Sequence, residues 1–599
     1  MNLKTNSRLT MTAKLTVLGA LFFLAAGCRT PEAFRQEVDA KAGNIIALTQ
    51  AQALGTDAPF SIQRPGDILR RQLLSQASLP VAGPASLGID ALTPVPHWPE
   101  PGFPGAGSVT DTGDKALAGP VTVSLVQALK IGARNSFDYQ TKKEAVFQAA
   151  LALYLEQEVF RNRFIGQVQQ LFKADLSTDP SQKGTRSSAE LTAARKFESG
   201  MALTTSLAAD LATLLFSGGD SSLGIAGDAS FSIPLLRGSG SHIVTEHVKQ
   251  AEQNLIYAIL EFEQFKKTFA VGVASQYLNL LKQLDTVENA RDDYTSRVAL
   301  TRRSQRLGEA GRLKEIEVDQ SIQTQLEARQ RWLSAEEALK RQTDAFKVLL
   351  GLPPDAEIRP DPEALEQISG RTAMESVHDT PGPLELPQQT AIKLALDRRL
   401  DLQIAQGKVF DAQRAVVVAA DALGAELTFL GSASVGDRRT ITTADLDNVR
   451  LRMDRGVFSA LLTLDLPFER TAEAVTYRNQ FILLEQAVRD VQKLEDIVKI
   501  EVRNRLRDLF EARQTLFIQR QAVALAEKRV KSISLFMDAG RAETRDLLEA
   551  QDSLLAAQNS FTAARVNYRI AELEIQRDMG VLTVTDTGLW QEFSPEEIF

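Results

Sequence analysis

The chain has 599 residues, of which 44% are hydrophobic and 24% charged, a balance that excludes an intrinsically disordered chain and a polytopic helical membrane protein. One cysteine and four histidines exclude a disulfide framework, a dithiol redox centre and a cysteine-rich zinc site. With 68 basic against 76 acidic side chains and a net charge of −8, the overall electrostatics give no support to nucleic-acid binding.

Residues 1–27 have the grammar of a secretory signal peptide. Lys4, Arg8 and Lys14 form a basic start with no acid, and Leu15 to Ala26 is an apolar run too short to span a bilayer. It ends in Leu24-Ala25-Ala26-Gly27-Cys28, which resembles the acylation site of bacterial lipoproteins. Cys28, the only cysteine, is therefore expected to become the lipidated first residue; the other reading is an ordinary signal with an incidental cysteine. Arg29 in the next position resembles the outer-membrane sorting signal of lipoproteins.

Residues 28–120 read as an N-terminal arm. Phe34 to Leu54 is amphipathic, and ten of the 22 prolines then fall between Pro59 and Pro120. Proline lacks the amide donor and disfavours helix before it, so this part is expected to be extended. It is either an arm laid on the surface or a flexible linker from the anchor.

The remainder is an internal repeat. Ala128-Leu129-Lys130 recurs as Ala391-Ile392-Lys393 with an offset of 263, and Ala310-Gly311-Arg312 recurs as Ala539-Gly540-Arg541 with an offset of 229, so the first copy is longer by 34 residues. Copy one covers 121–352, copy two 388–582, with a linker at 353–387 and a tail at 583–599. Each copy reads as a helix, a strand section (about 158–236 and 425–468), a long helix (241–307 and 471–537), a tight turn, and a returning helix (312–350 and 541–579). The returning helices stop at Gly351 and Gly580, as helix C-termini favour. A helix of this length spans about 100 Å, so it must pack along other long helices. Leu484, Val488, Val491, Leu494, Val498, Val502, Leu506 and Leu509 step by threes and fours as such a seam requires.

The strand sections alternate with period two. Phe458, Ala460, Leu462, Leu464, Leu466 and Phe468 share one face, with Ser459, Thr463 and Asp465 on the other. Leu427, Phe429, Ala433 and Val435 alternate with Thr428, Ser432 and Ser434, and Ile225 to Leu235 and Leu203 to Leu215 behave likewise. This is the pattern of transmembrane β-barrel strands; a half-buried soluble sheet shares it. Two strands per copy give about four per chain, with one or two more expected in the first copy's extra residues. Four strands cannot close a barrel and an open edge cannot face lipid, so several chains are expected to share one barrel, with their long helices forming a tube along its axis.

No enzymatic constellation is present. His242 and His247 flank Glu246 at a spacing that is not HExxH. Gly238-Ser239-Gly240 lacks the third glycine of a dinucleotide loop, and neither a Walker A loop nor GxSxG occurs. No catalytic residue, metal or cofactor is expected.

Over about residues 121–585 the chain resembles the TolC-like outer-membrane efflux proteins, and most of all their lipid-anchored branch. The duplicated grammar carries the resemblance, together with Phe231-Ser232-Ile233-Pro234-Leu235-Leu236-Arg237-Gly238, Leu464-Asp465-Leu466-Pro467-Phe468 and the turns Leu307-Gly308-Glu309-Ala310-Gly311 and Phe536-Met537-Asp538-Ala539-Gly540. The resemblance implies a mainly α fold with a membrane β section: duplicated long hairpins form an α-barrel, and about four strands per chain enter one shared trimeric transmembrane β-barrel of twelve strands. It implies a homotrimer in outer-membrane lipid acting as the passive conduit of a tripartite efflux or type I secretion system. Its partners would be a periplasmic adaptor and an inner-membrane transporter, the pump.

Adaptor docking would fall on the tips, Leu307, Gly308, Glu309, Ala310, Gly311 and Arg312 with Phe536, Met537, Asp538, Ala539, Gly540 and Arg541. The strand-to-helix junctions would be Pro234, Arg237, Pro467 and Arg470. Family positions near the second tip that ring the tunnel entrance correspond to Asp546 and Glu549, with Glu317 equivalent in the first copy; the alternative is that these are solvated carboxylates opposite Arg541 or Arg545. The rival to a channel is a lipid-anchored periplasmic adaptor or a structural coiled-coil protein. Two hairpins and barrel-type strands count against both.

Overall fold

Alternation of apolar and polar side chains makes ribbons, and threes-and-fours spacing makes rods; the chain contains both, in two compact units. The computed structural model describes residues 29–55, 60–62, 68–76, 79–100, 121–176, 182–215, 220–361 and 382–593. Cys28, the acylation candidate, lies outside them. One unit comprises residues 1–147, 262–398 and 500–599, the other 148–261 and 399–499.

In the first unit, α1 (Pro31–Leu54) opens on Thr30, whose side chain accepts the Ala33 N–H. It is followed by α2 (Leu69–Gln76), β1 (Val121–Val123), α3 (Leu125–Asn135) and α4 (Phe137–Glu158), the last crossing into the second unit. The arm is tied down. Arg70 donates its amide to Asn135 Oδ1 at 3.1 Å and a guanidinium N–H to the Gly351 carbonyl at 3.1 Å, and Gln140 Nε2 donates to the Ile62 carbonyl at 2.7 Å. These bonds favour a surface-laid arm over a free linker.

The rods of this unit are the tip-ward parts of α6 (Glu246–Glu309) and α10 (Thr471–Asp538), with the returning helices α7 (Glu315–Leu349) and α11 (Thr544–Asp578). A short helix α5 (Ser241–Val244) precedes α6, broken from it at Thr245, and α8 (Gln388–Arg398) is broken from α9 (Leu400–Asp421) at Arg399. Both breaks fall inside stretches that the sequence reading takes as continuous. Gly351, with φ 74°, leaves no room for a side chain against the Asn135 carbonyl, and Gly580, also at φ 74°, sits the same way against the Arg398 carbonyl. A returning helix thus ends on the last carbonyl of a preceding helix at two places 263 and 229 residues apart in sequence.

The core gathers around Tyr277, Phe346, Leu350 and Leu352, all at most 1% exposed. Tyr277 donates its hydroxyl to the Val123 carbonyl at 3.1 Å, holding β1, which pairs in parallel with β6 (Ile358–Pro360). Burial pushes that phenol up to about 12. Lys267 is buried and donates to the Gly580 carbonyl at 3.0 Å, satisfying an orphan helix-end acceptor; burial lowers its ammonium pKa. Of the predicted seam on α10, Val498, Val502 and Leu509 are buried, whereas Val488 is 39% exposed.

The second unit carries an antiparallel sheet of six strands in the order β2-β3-β4-β5-β7-β8: Arg163–Asp175, Gln182–Lys196, Ala202–Leu214, Ser221–Pro234, Glu426–Asp437 and Val457–Asp465. The count is six, the expected four with two more in the first copy. The additional pair, β2 and β3, occupies Arg163 through Lys196, where the first repeat carries its extra residues. β3 has little hydrophobic contrast to read, since Leu191 is its one large apolar side chain.

Candidate functional site

Because neighbouring strands pair residue for residue, the register assigns every side chain to one of two faces. One face carries Phe164, Val168 and Phe172 on β2, then Leu191, Leu207, Ile225, Phe231, Phe429, Phe458 and Leu462 on the strands that follow. Phe231 and Phe429 pack at 5.7 Å between ring centroids, and the Phe231 ring covers its cross-strand partner Gly431. Much of this apolar face is bare: Phe164 is 67% exposed, Phe458 64% and Leu462 59%.

The opposite face is mainly polar, with Ile165, Leu171, Leu430 and Leu461 interspersed. One cross-strand row holds Thr192, Ser206, Asp228 and Ser434, in which Ser434 Oγ donates to Asp228 Oδ1 at 2.6 Å. The next row brings Ser230, Ser432 and Ser459 together, with the last two hydroxyls 2.7 Å apart. Gln167 and Gln169 on β2 and Glu190 and Ser188 on β3 continue the same face. The added hairpin therefore continues both faces of the other four strands. Two edges are left unpaired, β2 and β8. An odd number of reversals separates them, so they run in opposite directions.

The junction residues lie at the helix-proximal end of this sheet. Leu235 N–H donates to the Leu427 carbonyl and Arg237 N–H to the Ala425 carbonyl. Arg237 and Arg470 both reach Glu473, at 4.0 and 3.4 Å, and Arg470 also pairs with Asp465 at 3.0 Å. Pro234 ends β5, and exposed Pro467 follows β8. Neither proline removes an amide from the interior of the ladder.

At the other unit's tips, the two turns are built identically. Arg312 N–H donates to the Leu307 carbonyl and Arg541 N–H to the Phe536 carbonyl, each at 2.8 Å. Gly311 and Gly540 stand at φ 69° and 68°, the left-handed conformation this helix stop demands. Gly308 abuts Val318, while Glu309, Ala310, Asp538 and Ala539 are exposed. Arg303 joins the tips by its ion pair with Asp538 at 2.7 Å, and Met537 packs on Leu300, Leu547 and Leu548.

The three acidic candidates have distinct settings. Asp546 Oδ2 accepts the Glu543 N–H at 3.1 Å in the capping box that starts α11. Glu549, on the next turn, pairs with Arg529 at 3.0 Å with its side chain 61% exposed. Glu317 lies half-buried in the first turn of α7.

Sequence reasoning missed Arg297, 1% exposed, whose Nε donates to Asp293 at 2.8 Å and whose Nη2 donates to Asp552 at 2.7 Å. Arg331 of α7 adds a bond to Asp293 at 2.9 Å, so α6 and α7 meet on one buried carboxylate, and Asp552 brings in α11 through the two arginines. The spacing of Asp293 and Arg297 by four was a readable signal for the local half of this pair; the interhelical half was not. Among the described residues no group of side chains is arranged to hold a metal ion, and no helix is long and apolar enough to cross a membrane.

No protein-family model matches the sequence, and no curated protein matches it. Solved structures do. The chain is similar to the Campylobacter jejuni CmeC outer membrane channel (TM-score 0.54, 12% identity, 81% of this chain and 92% of that one). It is similar to the outer membrane protein VceC of Vibrio cholerae (0.55, 14%, 76% and 96%) and to the Neisseria gonorrhoeae MtrE outer membrane channel in its open state (0.52, 13%, 76% and 89%). Long paired helices, an amphipathic antiparallel sheet and these likenesses together give one conclusion: the chain has the fold of the TolC-like outer-membrane channels.

Proposed function

We propose that this chain is one subunit of a trimeric outer-membrane channel that serves as the passive conduit of an efflux or type I secretion system. The observation that carries the reading is the six-stranded sheet with one bare apolar face, one polar face and two unpaired edges. Backbone groups at an open edge cannot be satisfied in lipid, and six strands are fewer than the roughly eight that a small barrel needs. Pairing β8 of one copy with β2 of the next is antiparallel, so the ribbon can close with copies of itself. Three copies give eighteen strands, which replaces the twelve implied by the family resemblance.

The helices support the same assembly. On α10, Leu483, Ile500, Phe510, Ile518 and Leu525 are 49–65% exposed in one chain, an apolar stripe that neighbouring subunits would cover. Cys28 would add a lipid anchor, and the helical unit would lie in the periplasm. The tips around Gly311 and Gly540 would dock a periplasmic adaptor linked to an inner-membrane pump, with Glu317, Asp546 and Glu549 as the carboxylates of the tunnel entrance.

Native mass measurement of the detergent-extracted protein tests the assembly. A trimer is expected, with more strand per chain by infrared amide spectroscopy after reconstitution than in a variant lacking Arg163–Lys196. A monomer in mild detergent overturns the reading. At the tip, Gly540→Pro removes the N–H that donates to Met537 and demands a φ that proline cannot adopt. Trimers are expected to form at normal yield while export from cells carrying the matching pump is lost; unchanged export would remove the docking role.

A further inference from the structure

β7 and β8 are joined by residues 438–456, whereas β4 and β5 are joined by only 215–220. The first residues of the long connection, 438–444, fold back over the polar face at the end of the sheet remote from the junctions. Arg438 pairs with Glu190 of β3 at 2.9 Å. Arg439 is buried; its Nε donates to Ser222 Oγ at 2.9 Å and its Nη2 to the Asp447 carbonyl at 2.8 Å. Further along, the Leu223 N–H donates to Asn448 Oδ1 and the Val449 N–H to the Leu223 carbonyl, both at 2.8 Å.

The sheet is shaped to receive this loop. A Cβ on Gly184 would stand 2.9 Å from the Ile441 side chain, and one on Gly224 would stand 2.6 Å from the Arg439 nitrogen. Ile441 and Ala444 are 5% and 1% exposed. In the same part of this face, the Arg186–Asp210 pair at 2.9 Å has a fully buried carboxylate. An ordinary surface loop has neither glycine seats nor buried apolar side chains facing a polar strand surface.

We infer that residues 438–456 form a built-in constriction on the luminal side of the barrel's outer mouth, limiting the size of solutes there. The inference rests on the channel reading above. The polar face of a barrel wall is its lumen, and a loop seated on it takes up cross-section in each copy. The loop carries five arginines and three aspartates. Arg438 pairs with Glu190, Arg439 with Asp437 and Arg452 with Asp454, so the charges of the loop are largely taken up in ion pairs, the first of which ties it to the sheet. The added hairpin β2–β3 widens the wall, and the loop narrows the opening that results.

The test is cysteine access from outside intact expressing cells. Ser432 lies on the polar face in mid-strand and is exposed. Ser432→Cys would be labelled with uncharged maleimides of increasing size; the parent chain gives the background from Cys28. Three proteins are compared: the cysteine variant alone, the same with 438–456 replaced by a Gly/Ser linker as long as 215–220, and the same with Arg438→Gln and Arg439→Gln, which removes the ion pair with Glu190 and the bond to Ser222. Shortening the loop is expected to speed the largest maleimides several-fold and leave the smallest unchanged. The double substitution is expected to speed the same large reagents to a smaller extent. It keeps the length of the chain, so it reads the seating of the loop even where the shortened chain does not fold. Identical rates in all three proteins overturn the inference. If even the smallest reagents fail to reach Ser432→Cys with the loop shortened, the channel reading itself fails.

Discussion

Leu462→Arg is expected to prevent assembly, while Thr463→Arg, one residue along, is expected to be tolerated. The two positions lie at the same depth of β8 on opposite faces: Leu462 pairs with Phe429 and Thr463 with Thr428. On a lipid-facing wall, an arginine near the bilayer midplane costs about 2–4 kcal/mol, and a trimer incurs it in each subunit. On the luminal wall the guanidinium remains in water. The readout is the yield of heat-sensitive trimer in the outer-membrane fraction and its folding into lipid vesicles. Equal tolerance at both positions, or loss only with Thr463→Arg, would mean that the apolar face does not meet lipid.

Arg297→Ala is expected to destabilise the helical unit by about 3–5 kcal/mol, the usual result of deleting one partner of a buried pair. Asp293, 6% exposed at its side chain, would keep a charge with only the half-exposed Arg331 beside it. The loss comes mainly from the stranded carboxylate rather than from the missing bond, and this distinction can be measured. Arg297→Met combined with Asp293→Leu removes both charges and is expected to recover most of the stability. Melting of the helical circular-dichroism signal checks both variants. An unshifted transition in Arg297→Ala would show that the network over Asp293 contributes nothing.

The rods and most of the ribbon were legible because each is a matter of period and punctuation. Proline-free runs ended by Gly351 and Gly580 give the returning helices to within a few residues. Phe458 through Leu464 and Phe231 through Leu235 alternate strongly enough to show their faces. The site was less legible. β3 alternates Ala and Leu with Ser and Thr, a contrast smaller than that between Phe and Asp. The seating of Arg439 on Ser222 joins residues 217 positions apart in sequence, beyond any local pattern. Asp546 reads as a solvent or pore carboxylate in sequence, and only the backbone shows that it also caps α11.

What the sequence by itself determined is local: which segments are rods, which are ribbons, where they stop, and that one chain holds too little ribbon to enclose a pore. Helical and strand periods are set by backbone geometry that each residue carries with it. The tertiary structure alone decided that all six strands share one sheet, that β2 and β8 form its free edges, and that the loop after β7 lies against the polar face. Strand pairing and loop docking depend on contacts between residues far apart in the chain, whose free energies are settled by burial and hydrogen bonding in the assembled fold.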